Sequence, residues 1–127
     1  MDATDKIDLS NILKARDIFE SFRQNMKTDR DKAGATQAFE FSYELSWRLL
    51  KRVLESQGYE VLSPKDTFRK AALAKLIDNP EIWFDFQKMR NLTVHTYREE
   101  NLDLIVSSFD SFSKELNKLI EKLRSLL

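Results

Sequence analysis

At 127 residues, 42% of them hydrophobic and 33% charged, the chain has the size and balance of one globular domain. Two glycines and two prolines are too few for the turns of a β-rich fold, and the lack of cysteine excludes disulfides, thiolate zinc sites and cysteine nucleophiles. Twenty-one basic residues balance twenty-one acidic ones, which argues against strong, unselective nucleic-acid binding but leaves room for a local basic site.

The N-terminal stretch MDATDKIDLS carries neither a basic n-region nor an apolar run, so no signal peptide is read there. No apolar stretch approaches the ~20 residues of a membrane span. With a cysteine-free composition, these features predict a cytoplasmic protein without membrane contact. Helical periodicity then begins. Ile12, Ala15, Phe19, Phe22 and Met26 alternate at spacings of three and four, the pattern of a helix with one buried face. TDRD (28–31) follows, where Thr28 and Asp31 have the spacing of a capping box.

The second helix is predicted over roughly 32–57, with Gly58 as its stop. It bears two adjacent stripes, Ala35-Phe39-Ser42-Ser46-Leu49-Val53 and Tyr43-Trp47-Leu50-Leu54, which call for cover on more than one side. Glu40, Glu44, Arg48 and Lys51 run alongside them. Glu44 and Arg48 form an i,i+4 pair worth a few tenths of a kcal/mol on a solvated surface. Ser63-Pro64 predicts a short third helix with serine as N-cap and proline in the first turn, and Asn79-Pro80 repeats the device for a fourth helix over about 80–97. The last helix starts near Asn101 and carries Leu102, Ile105, Phe109, Phe112, Leu116, Leu119 and Leu123 along one seam. The expected fold is all-α: one domain, residues 1–127, built as an antiparallel up-and-down four-helix bundle with one short additional helix.

The fourth helix holds the single histidine, in RNLTVHTY (90–97). At ~100° per residue, Ile82, Phe86, Met89 and Thr93 form the core stripe, and Arg90 and Tyr97 fall about 20° apart beside Trp83 and Val94. Phe84, Asn91 and His95 make a third stripe. On a straight helix Arg90 and His95 stand about 140° apart, so they meet one ligand only if the helix ends or bends between them or a second copy contributes. The near-continuous apolar surface before Arg90 points to cover on two sides and predicts a homodimer through the fourth helix.

Two accounts of this segment stay open on the residues alone. In the plainer one, His95 settles the last helical carbonyls and Arg90 pairs with Asp85 or Glu99. In the other, the arginine fork holds a phosphate and the imidazole moves a proton. Asn91 then supports the imidazole one turn away, and Tyr97 adds a hydroxyl beside Arg90. Arginine and histidine without metal ligands form the set needed to cleave RNA by attack of its own 2′-OH. One histidine and no cysteine leave no zinc constellation, and no glycine-rich loop is present to cradle a nucleoside triphosphate. Glu99, Glu100 and Asp103 read as first-turn acids of the last helix rather than a magnesium site. No metal and no cofactor is expected.

RNLTVHTY matches the R-x4-H-x-Y motif of HepT-like proteins in the HEPN superfamily. Together with FEFSYELSWRLLK (39–51) and SPKDTFRKA (63–71), in that order, it makes the chain resemble the nucleotidyltransferase substrate-binding branch of that group over roughly residues 8–125. The resemblance implies a helical homodimer encoded beside a minimal nucleotidyltransferase, as the toxin-like half of a toxin–antitoxin pair. It implies Arg90 and His95 as catalytic residues of a metal-independent ribonuclease, with Asn91 supporting. It implies Tyr97 as the residue to which the partner attaches AMP, where the adduct would occupy the phosphate site. The alternative is a non-catalytic subunit that binds a nucleotide or phosphate and presents substrate to the transferase.

Overall fold

A computed structural model describes residues 7–127. Residues 1–6, on which much of the leader reading rests, lie outside that range. The described chain is helical: α1 (Ser10–Arg23), α2 (Asp29–Ser56), α3 (Pro64–Leu73), α4 (Pro80–Leu92), a 3₁₀ turn (Thr93–His95), α5 (Glu99–Ser107) and α6 (Phe109–Arg124). The long helices α1, α2 and α4 and the α5–α6 pair form the four-helix bundle, and α3 is the short additional helix. Helix α2 lies at its centre and touches every other helix. No described helix is long and apolar enough to cross a membrane.

The starts follow from local chemistry. Asp31 N–H donates to Thr28 Oγ1 and Thr28 N–H to the Asp31 carboxylate, both at 3.1 Å, completing the capping box. Ser63 and Asn79 cap α3 and α4, each with proline in the first turn. Helix α2 stops where Gly58 takes φ +92°, with Tyr59 N–H returning to the Leu54 carbonyl. The same closure ends α3, but there Lys75 adopts the left-handed φ of 62°.

Phe112 centres the core. Its ring lies 4.8 Å from Phe39, 5.1 Å from Phe86, 5.4 Å from Phe19 and 6.0 Å from Trp83 between centroids, in edge-on contacts that join four helices. Trp83 also stacks on Phe68 of α3 at 5.3 Å, which draws the buried face of α4 towards Trp83. Trp83 and Phe86 are buried, whereas Ile82 and Met89, expected in the core stripe, are only half-buried. Part of the second cover that α4 needs comes from within the chain, because Phe84 lies under Lys65 and Arg69 of α3. The exposed residues of α4 are Glu81, Asp85, Lys88 and Asn91, all polar.

Two boundaries differ from expectation. The final helix is interrupted at Ser108, where the hydroxyls of Ser107 and Ser108 take the carbonyls of Leu104 and Ile105 and compete with the helical ladder. The seam from Ile105 to Leu123 still faces the core. The fourth helix stops at Leu92 instead of reaching Tyr97, and that change bears on the site.

Candidate functional site

Nothing between Met89 and Tyr97 is a glycine or proline, so the end of α4 needs another cause. Thr93 supplies it. Its buried hydroxyl donates to the Arg90 carbonyl at 2.7 Å, closing a tight i−3 bond, and Val94 adds a second β-branched residue that favours leaving the helix. Thr93, Val94 and His95 continue as one 3₁₀ turn. Asn101, near the start of α5, donates its side-chain amide to the His95 carbonyl at 3.0 Å and ties down the far side of the turn. Glu99 and Glu100 occupy the first turn of α5, and Asp103 pairs with Lys32 at 3.5 Å, in keeping with their reading as helix acids.

The helix therefore ends between Arg90 and His95, one of the conditions under which both can meet a single ligand. The stripes drawn on a straight helix lapse beyond Leu92. Tyr97 does not extend the Arg90 face; its ring packs edge-on against His95, with centroids 5.9 Å apart. Val94 and Tyr97 are strongly exposed, at 68% and 79%, and Asn91 and His95 are exposed as well. Among the described residues Asn91 makes no hydrogen bond to His95, and the asparagine that touches this turn is Asn101.

Arg90 is held differently from either expected ion pair. Its Nε stands 3.4 Å from Glu44 Oε1 on α2, without the alignment of a hydrogen bond, and its Nη1 donates to Thr93 Oγ1 at 3.4 Å. Asp85 pairs instead with Lys88, at 4.0 Å. Glu44 Oε2 accepts the Trp47 indole N–H at 3.1 Å and lies 3.8 Å from Arg48. The i,i+4 pair read from the sequence thus exists, but the closer cation is Arg90. Beside them Tyr43 is buried with no partner for its hydroxyl. Burial, and then the Glu44 charge, push that phenol well above the ordinary tyrosine range against the opposing pull of Arg90, so it stays protonated. Glu44, Trp47 and Asn101 were not singled out as site residues by sequence. A cleft of about 400 Å³ adjoins the turn, lined by Thr36, Gln37, Glu40, Thr93, Thr96 and Leu102.

Chemically, the arrangement offers a permanently charged fork steadied on one edge and an exposed titratable ring beyond a sharp turn. An exposed phenol lies against that ring. Fold and segment together describe a small α-helical bundle protein with Arg-x4-His-x-Tyr where its fourth helix ends. The chain belongs to the nucleotidyltransferase substrate binding protein like family, which it matches over residues 8–125. It is 37% identical over 97 residues to "Probable ribonuclease HepT" of Haemophilus influenzae, an alignment covering 72% of this chain and 66% of that relative. Two solved structures are similar in fold. One, from Thermus thermophilus, superposes with a TM-score of 0.83 at 26% identity over 89% of this chain and 98% of its own. The other, from Haemophilus influenzae, has the fold of a substrate binding domain of a nucleotidyltransferase; its TM-score is 0.75 at 31% identity, over 90% and 99% of the two chains.

Proposed function

We propose that this protein is the toxin-like member of a two-gene toxin–antitoxin module in the cytoplasm, a metal-independent HEPN-type ribonuclease that a minimal nucleotidyltransferase binds and silences. The observation that carries the reading is the end of α4 at Leu92, which separates an anchored Arg90 from an exposed His95 by one sharp turn. In the reaction, the RNA 2′-oxygen attacks the adjacent phosphorus and the 5′-oxygen leaves, giving a 2′,3′-cyclic phosphate and a 5′-hydroxyl. His95 takes or returns a proton, and Arg90 stabilises the charge on the phosphorane oxygens. Asn91 supports the site from the last turn of α4. A homodimer joined at the C-terminal ends of the two α4 helices would cover Val94 and Tyr97 and set two motifs face to face.

Silencing would use Tyr97. Its phenolic oxygen attacks the α-phosphorus of ATP held by the partner, AMP is attached and pyrophosphate leaves. The high exposure of Tyr97 and its contact with the His95 ring favour this position as acceptor, since an adduct there would stand over the imidazole. Mass spectrometry of protein co-expressed with the partner should find AMP on Tyr97 and none on a Tyr97→Phe variant. Expressed alone, the wild type should arrest growth, and His95→Ala should not. Harmless expression with intact RNA would remove the toxin reading.

The second reading is a non-catalytic subunit that holds a nucleotide or phosphate for the transferase. The family description and the fold of the Haemophilus structure favour it. Nucleotide binding that depends on Arg90, with no cleavage of RNA, would decide for it.

A further inference from the structure

Glu44 reaches Arg90 from another helix, 46 positions away in the chain, and both side chains are about one-third exposed or less. Three contacts divide the work. Trp47 occupies Glu44 Oε2, Oε1 faces Arg90 Nε, and Thr93 accepts from Arg90 Nη1. Among the described residues no side chain accepts a hydrogen bond from Arg90 Nη2. A guanidinium carries five N–H donors in a rigid plane, so fixing the Nε edge and Nη1 also fixes where the remaining donors point.

We propose that Glu44 is a positioning residue for Arg90: its carboxylate, itself held by the Trp47 indole, orients the guanidinium so that its free edge receives a phosphate oxygen. The proposal rests on the reading of Arg90 as a phosphate ligand. Two effects of the carboxylate oppose one another. It repels an incoming phosphate, but its charge is already offset by Arg90 and Arg48 on its two oxygens, so across roughly 7 Å the net repulsion weakens binding by no more than about twofold. It also removes in advance much of the rotamer freedom that a free arginine loses on binding, which favours the complex by about fivefold. Ordering therefore outweighs repulsion, and loss of the Glu44 charge weakens phosphate binding.

The experiment follows the Arg90 Nε–H signal of the full-length ¹⁵N-labelled protein by NMR while inorganic phosphate is added. Arg90→Ala assigns the signal. In the wild type, phosphate should move it. In Glu44→Gln, which keeps length and an acceptor for Trp47, the signal should shift and broaden before any phosphate is present, and phosphate affinity should fall about fivefold. Trp47→Phe should produce a smaller loss in the same direction. Unchanged backbone spectra would establish that both variants fold. An Arg90 signal unmoved by Glu44→Gln overturns the positioning role while leaving the phosphate reading intact. Equal or tighter phosphate binding by that variant overturns it too, because Glu44 would then be a competitor. If phosphate leaves the wild-type signal in place, the phosphate reading itself fails and the proposal falls with it.

Discussion

Thr93→Val tests whether one hydroxyl sets the geometry of the site. Valine keeps the shape and β-branching of threonine, so the substitution removes Oγ1 with little change in packing. Two bonds are lost. The 2.7 Å bond to the Arg90 carbonyl is a neutral hydrogen bond, worth about 1 kcal/mol net. The 3.4 Å contact from Arg90 Nη1 is long and part-exposed, worth about half of that or less. The Arg90 carbonyl is not orphaned, because the Thr93 backbone N–H also reaches it, and the new methyl gains a little from burial. The net cost should be about 1 kcal/mol, or roughly 4 °C in Tm for a chain of this size. Thermal and urea unfolding measure it, with Thr93→Ser as the control that retains the hydroxyl. A Thr93→Val protein as stable as the wild type, with unaltered signals from Thr93 to Tyr97, would refute the idea that this hydroxyl ends α4.

Other consequences concern the scaffold. Phe112→Ala empties the ring that joins four helices and should cost about 3–5 kcal/mol by urea denaturation; a cost near 1 kcal/mol would mean that the core collapses around the gap. Lys75→Gly should stabilise by about 0.5–1 kcal/mol, because relief of the left-handed backbone exceeds the added freedom of the unfolded chain, and a lower Tm would contradict it. Asp31, Asp66 and Asp78 are held below the ordinary carboxylate range, chiefly by the backbone N–H of Lys27, the backbone N–H of Leu62 and the Lys118 ammonium respectively. Folded values below unfolded ones stabilise the protein above the unfolded pKa of about 3.9, and that contribution is lost as pH falls through the folded values. Stability should therefore drop below about pH 4, and Asp66→Asn should flatten the profile; a level profile from about pH 5 to about 2.5 would contradict it.

Much of the architecture was legible because its signals are local. Thr28 with Asp31, Ser63-Pro64, Asn79-Pro80 and Gly58 each state a helix end through a cap, a ring or a free φ. The ends that were misplaced lack such residues. Thr93 stops α4 and Ser107-Ser108 interrupt the final helix through hydroxyl-to-carbonyl bonds, which many serines and threonines inside helices also make without ending them. Lys75 takes a conformation that glycine normally advertises.

The site divides along the same line. Arg90, Asn91, His95 and Tyr97 lie within eight consecutive residues, and a motif can be read from one segment. Glu44 belongs to the site through tertiary packing alone. Its one sequence signal is its place, with Glu40, at the outer border of the second apolar stripe, about 60° beyond the half-buried Trp47. An acid at the border of a packed face stands within reach of the helix that covers that face, and here that helix carries Arg90. Asn101 gave less warning still, since asparagine near a helix start reads as a cap.

The central claim is that Arg90 and His95 act together on RNA without a metal. The direct measurement incubates purified wild type, Arg90→Ala and His95→Ala with RNA in excess EDTA and identifies the product ends. Wild type should leave 2′,3′-cyclic phosphate termini, and each variant should lose at least about a hundredfold in rate. RNA left intact by the wild type, or cut equally well by His95→Ala, would contradict the account.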